Sequence, residues 1–93
     1  MHHILYETTN KVNGKRYIGI HSTEKLNDGY LGSGTAIKRA INKYGRSSFV
    51  RKTLKECKSR KELLLLETEV VNEKIVYDKK YYNMILGGKS FID

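Results

Sequence analysis

The chain is poor in cysteine, in acidic residues along its middle third, and in apolar runs. Cys57 is the single cysteine among 93 residues, so no internal disulfide can form and nothing suggests a zinc site; such usage suits a reducing compartment. The start, Met1-His2-His3-Ile4, has no long apolar segment of the kind a secretory leader needs, and His2 and His3 read as terminal residues rather than ligands. No stretch approaches the ~18 apolar residues of a membrane span, so we expect a soluble protein with no membrane partner. Neither a repeat nor a linker divides the sequence, and 93 residues with 39% hydrophobic content imply one domain over 1–93 with a modest core.

Charge is high and unevenly placed. The net charge is +8, yet residues 35 to 61 hold ten basic side chains against one acid, Glu56, a local excess of +9 that leaves the remainder near −1. Clustering of this kind is the electrostatic footprint of a phosphate-backbone binder. No strongly amphipathic basic helix with large aromatics points instead to a membrane surface.

The most informative segment is a hairpin. Asn13-Gly14 separates two runs rich in Tyr, Ile and Val, and both turn residues tolerate positive φ, so residues 3 to 9 and 15 to 20 should pair as antiparallel strands. Tyr6 and Tyr17 then lie on adjacent strands and can present two phenols from one sheet, either as a site or as ordinary strand aromatics.

Beyond the hairpin the expected order is loop, helix, strand, helix, short strand. Gly29 to Gly34 is too glycine-dense for a regular element, and its spacing is only a weak phosphate-cradle signal. Thr35 or Ser33 can cap a helix over Ala36 to Tyr44, which Gly45 is placed to stop, and Phe49 to Leu54 reads as a strand. Ser59-Arg60-Lys61-Glu62 matches a capping box, so a second helix should run from Arg60 to about Lys74. At about 100° per residue, Leu63, Leu64, Val70, Val71 and Ile75 share one side, with Glu67 in the middle of the stripe. A carboxylate facing the core needs a cation, a metal or several donors.

Together these pieces resemble the GIY-YIG nuclease superfamily, over nearly the whole chain. The tripeptides stand here as Ile4-Leu5-Tyr6 and Tyr17-Ile18-Gly19, the helix as Ala36 to Gly45, the glutamate element as Leu66-Glu67-Thr68-Glu69-Val70-Val71, and the closing element as Tyr82-Asn83. The resemblance implies a small α/β sandwich (α+β), a three-stranded antiparallel sheet flanked by helices. It also implies divalent-metal-assisted hydrolysis of phosphodiesters, most simply in double-stranded DNA, as in phage and intron homing endonucleases, and hence the cytoplasm of a bacterial or phage-infected cell. Such relatives often append separate DNA-reading modules, so a further domain, a monomer or a weak homodimer are all compatible with it.

Carried over residue by residue, the resemblance assigns catalytic roles to Tyr6, Tyr17, Glu67 and Asn83, with Glu67 the sole protein ligand of Mg²⁺ or Mn²⁺. A hard divalent ion takes carboxylate, water and phosphate oxygens and would stabilise charge at the phosphoryl group and the leaving oxygen. A phenol has an ordinary pKa near ~10, so as general base it would need nearby cations to lower it, and Lys15, Arg16 and His21 flank Tyr17. Tyr6 is the expected base or water-orienting group and Tyr17 its hydrogen-bonding partner, or the reverse. In one place the sequence departs from the family. Many members carry an arginine on a helix after the second tripeptide, and the corresponding residue here is Asn27. His21 is the nearest substitute, with Arg39 and Lys38 as alternatives, while Lys15, Arg16, Lys38, Lys43 and Arg46 are the expected DNA contacts. A nucleic-acid-binding module of the same fold that has lost catalysis is the alternative function.

Overall fold

β1 (His2–Asn10) and β2 (Arg16–Thr23) pair antiparallel across the Asn13-Gly14 loop; β1 is one residue longer at each end than expected, and β2 starts one residue later and runs three residues further. The loop closes on itself. Gly14 donates its N–H to the Asn10 carbonyl at 2.8 Å, and the Asn10 and Asn13 side chains each accept a backbone N–H two residues on, at 2.9 Å. Asn and Gly make this turn because one supplies the side-chain acceptor and the other the positive φ, here +76°. The computed structural model describes residues 1–87; residues 88–93 of the expected domain lie outside the described residues.

β3 (Phe49–Cys57) pairs antiparallel with the other edge of β1, giving the order β2-β1-β3. It runs three residues past the expected Leu54 because Lys55 and Glu56 find partners in Leu5 and Ile4, and cross-strand pairing outweighs the weak strand preference of Lys and Glu. The register slips between Leu5 and Tyr6. The residue left unpaired is Leu54, so the bulge lies on β3 and bends that strand opposite Tyr6.

Alternation along the strands separates two cores. Leu5 and Ile18 point to one face and meet Leu63 of α2 (Arg60–Val70), Val71 and Cys57, while the opposite face carries Tyr17 toward Ile37 and Ala40 of α1 (Thr35–Tyr44), with Leu31 and Phe49. The result is the expected α+β sandwich, a three-stranded antiparallel sheet with helices on both faces. Among the described residues, no helix is long and apolar enough to cross a membrane.

Three local expectations need correction. The N-cap of α1 is Gly34, not Thr35 or Ser33, and no side chain caps it. A Cβ at Gly34 would stand 3.1 Å from the Tyr17 ring, so a larger residue at this cap would press on that phenol. The second helix begins at Arg60 as expected, with the Ser59 side chain accepting from the Glu62 N–H at 3.2 Å. It stops at Val70 rather than near Lys74, because the Asn72 side chain accepts the Lys74 N–H at 3.0 Å and starts a separate turn, α3 (Glu73–Val76). On α2 it is Leu66, not Leu64, that packs with Leu63 and Val70 on the core. The expected final strand is reduced to one parallel bridge, Arg16 with Tyr81.

Candidate active site

The two faces meet along β2, where a cleft of about 830 Å³ opens between the loop before α1 and the α2 helix. Tyr6 and Tyr17 enter it from the sheet, Tyr30 from the loop, Arg60 and Glu67 from α2, and Asn83 from the closing segment. The hairpin register sets Tyr6 opposite Gly19 and Tyr17 opposite Thr8, so both phenols rise from one face. Gly19 is what lets Tyr6 cross β2. A Cβ there would fall 2.4 Å from the Tyr6 hydroxyl, a position no real side chain can share.

The aromatic rings form a continuous set. Tyr6 and Tyr17 have centroids 6.3 Å apart, Tyr30 meets Tyr6 edge-on at 5.8 Å, and His21 stacks on Tyr30 at 3.9 Å and 10°. Tyr6 is only 1% exposed. Burial pushes its phenol well above the ordinary value, aided by the Tyr30 and Tyr17 phenols and a hydrogen bond to Tyr30, against the pull of Arg51. Burial also raises Tyr17, followed by Tyr30 and the Glu67 charge, while the Gly34 N–H pulls the other way. This corrects the expectation that neighbouring cations lower a phenol toward neutrality. Lys15 lies over the Tyr82 ring and Arg16 lies 3.9 Å from Glu7, so neither serves the phenols. Burial thus favours the protonated form of both phenols at neutral pH.

His21 lines the same cleft as Tyr6, Tyr17 and Glu67. Its Nε2 lies 2.7 Å from Asp28 Oδ2. That contact, with the Tyr30 N–H and contributions from Thr23 and Arg51, holds the Asp28 carboxyl well below the usual carboxylate range. Arg51 anchors the same loop by donating to Asp28 Oδ1 at 3.1 Å, the Tyr30 carbonyl at 2.8 Å and the Leu26 carbonyl. Asn27 therefore sits in a loop stitched together by its neighbours, in the place where a loop was expected after the hairpin.

Asn83 is 6% exposed and its amide is engaged at both ends. Its Oδ1 accepts the Ile18 N–H at 2.9 Å and its Nδ2 donates to the Ile18 carbonyl at 2.7 Å. A side-chain amide thus continues the ladder begun by Arg16 N–H to the Lys80 carbonyl and Tyr82 N–H to the Arg16 carbonyl. It satisfies the edge of β2 between Tyr17 and Gly19.

Glu67 is partly buried in the α2 wall, near enough to Tyr17 for its charge to raise that phenol. Among the described residues, no three His, Cys, Asp or Glu cluster to hold a metal. Glu67 can offer a hard cation one carboxylate ligand, with the rest of its shell left to water or phosphate oxygens.

The remaining expected residues lie outside the cleft. Arg39, Lys38 and Lys43 are exposed on α1; Lys15 is in the hairpin loop, Arg16 at the start of β2, and Arg46 in the short 3-10 helix Arg46–Ser48, donating to the Gly29 carbonyl. Sequence reasoning missed Tyr30 and Arg60 as cleft residues. Tyr30 lay in a glycine-rich loop without periodicity, and Arg60 was absorbed into a capping signature.

Fold and cleft together define a small α+β domain whose concave edge combines, among the described residues, phenols, an imidazole, a guanidinium and a carboxylate. Three proteins of Enterobacteria phage T4 are similar to it. "Putative endonuclease segE" is 54% identical over 88 residues, which cover 95% of this chain and 43% of that protein. "Putative endonuclease segC" is 50% identical over 84 residues, 90% of this chain and 42% of that protein. "Endonuclease segA" is 44% identical over 84 residues, 90% of this chain and 38% of that protein. The chain spans about two fifths of the length of these relatives. No family model matches it, and no solved structure matches it.

Proposed function

We propose that this chain is the catalytic portion of a divalent-metal-dependent DNA endonuclease of the GIY-YIG type. The observation that carries the reading is the convergence in one cleft of Tyr6 and Tyr17, from the paired tripeptides, with Glu67, the single carboxylate among the described lining residues. The likeness to phage proteins named as endonucleases supports it.

Glu67 would hold Mg²⁺ or Mn²⁺, and the ion would supply charge stabilisation at the phosphoryl group and the leaving oxygen. The phenols of Tyr6 and Tyr17, kept neutral by burial, orient the attacking water and donate hydrogen bonds to phosphate oxygens. His21, held by Asp28 and backed by Tyr30, gives the cleft a polar wall. Asn83 positions the strand that bears Tyr17 through its two bonds to Ile18.

Lys15, Arg16, Lys38, Arg39, Lys43 and Arg46, outside the cleft, contact the phosphate backbone of double-stranded DNA flanking the cut. Sequence preference then comes from a further domain or from a second copy in a weak homodimer, and the setting is a bacterial or phage-infected cell. The test is cleavage of supercoiled plasmid with Mg²⁺ or Mn²⁺ and with EDTA. Metal-dependent nicking or linearisation is the expected result; DNA binding without any cleavage would make the chain a binding module of the same fold.

A further inference from the structure

Resting on that nuclease reading, we propose that Arg60 supplies the cationic contact to the phosphate being cleaved, entering from the wall that bears Glu67. Among the described lysines and arginines, Arg60 alone lines the cleft shared by Tyr6, Tyr17, His21 and Glu67. Arg51, Lys38 and Arg39 are not among the lining residues. Arg51 holds the loop carbonyls and Asp28 behind Tyr6, and Lys38 and Arg39 lie outside the cleft on α1.

Arg60 is also aimed. Its Nη1 donates to Ser22 Oγ at 2.9 Å, and Ser22 Oγ in turn lies 2.8 Å from His3 Nδ1. The guanidinium is thereby tied to β2 one residue after His21. Seven residues separate Arg60 from Glu67, close to two turns of α2, so the two share a helix face about 10 Å apart along the axis. That spacing leaves room for a phosphate group between a guanidinium and a carboxylate-bound ion. The helix itself gives no reason for the residue. Arg60 is the first position of α2, where the macrodipole disfavours a cation, whereas a phosphate in the cleft would favour one. The planar fork of an arginine matches two phosphate oxygens at once, and its charge does not depend on pH.

In the reaction, the water oxygen bonds to phosphorus and the P–O3′ bond breaks. The proton lost by the water is balanced by one gained at the 3′ oxygen. Arg60 neither gives nor takes a proton; it offsets charge growing on the non-bridging oxygens.

The experiment compares wild type, Arg60→Ala and Arg60→Lys. It measures single-turnover plasmid cleavage at saturating protein with Mn²⁺, thermal melting, and DNA binding in EDTA across a salt series. Arg60→Ala should cut roughly 10²-fold more slowly or worse, and Arg60→Lys should recover part of that rate because it keeps the charge and loses the fork. Binding should weaken modestly, with the salt slope reduced by about 0.9, the signature of one phosphate no longer neutralised, which a purely structural role would not produce. An Arg60→Ala rate within about threefold of wild type, or an unchanged salt slope, overturns the proposal. Should Arg60→Ala fail to fold, Arg60→Gln, which keeps a donor for Ser22, takes its place with the same two readings. Wild type that cuts nothing removes the nuclease reading beneath the proposal; wild type that cuts alongside an unaffected variant removes the proposal alone.

Discussion

The cleft along β2 and the basic outer surface of α1 and β3 are built on opposite principles. In the cleft, polar groups are held at defined distances by partners. Asn83 is bound twice to Ile18, His21 is fixed between Asp28 and Tyr30, and the Tyr6 hydroxyl rests where Gly19 leaves no Cβ. On the outer surface, Lys38, Arg39, Lys43, Lys52 and Lys55 are exposed. Their shared contribution is a positive field. A fixed constellation can discriminate a transition state from a ground state, whereas exposed cations mainly set encounter and salt-sensitive affinity. Chemistry and attraction are therefore separable by mutation.

The sharpest way to break this division is Glu67→Gln. If the cleft carries the chemistry, metal-dependent plasmid cleavage should be abolished while DNA affinity measured in EDTA stays level or rises, since a negative charge has gone. Normal cutting by this variant would move the site elsewhere. Next in size are the phenols. Tyr6→Phe and Tyr17→Phe should each slow cleavage by roughly 10²-fold, with melting close to wild type, because each removes one hydroxyl from the cleft and leaves the ring that packs. Wild-type rates in both would return them to ordinary strand aromatics.

The outer surface should respond differently. Lys38→Ala and Lys43→Ala should each weaken duplex binding and lower the slope of log affinity against log salt by about 0.9 for each phosphate left without its cation. A slope that does not change would place the DNA path off α1. The smallest effect concerns the loop behind His21. Because contacts from His21, Tyr30, Thr23 and Arg51 hold Asp28 below its unfolded value, it stabilises the fold above the ordinary carboxylate pKa of ~3.9, and that contribution fades as pH falls below it. Asp28→Asn should therefore melt lower than wild type near pH 7, and the gap should narrow as pH drops from about 4 to about 2. A gap constant with pH would mean that the Asp28 charge is not what matters.

Much of this was legible in local chemistry. Asn13-Gly14 announced the hairpin, Ser59 announced the start of α2, and Gly45 announced the end of α1, where its φ is +86°. The placement of Tyr6 and Tyr17 on one face followed from the hairpin and the period of two. Glu67 stood out because a helical stripe of apolar residues contained one charge. Two of the misses concern α2. Asn72 broke the second helix through a local side-chain bond that competed with a good apolar period. Leu66 replaced Leu64 in the core because helix rotation is set by the sheet beneath it.

By itself, the sequence determined the hairpin, the two main helices, the facing phenols and the concentration of positive charge, since each depends on neighbours within a few residues. Only the tertiary structure decided that Tyr30 and Arg60 reach the cleft, that Asn83 serves as a strand partner for Ile18, and that the phenols are raised rather than lowered in pKa. Those outcomes depend on burial and on residues brought together from 65 positions apart, as with Ile18 and Asn83. Desolvation and edge pairing are properties of the packed sheet, and no local pattern encodes them.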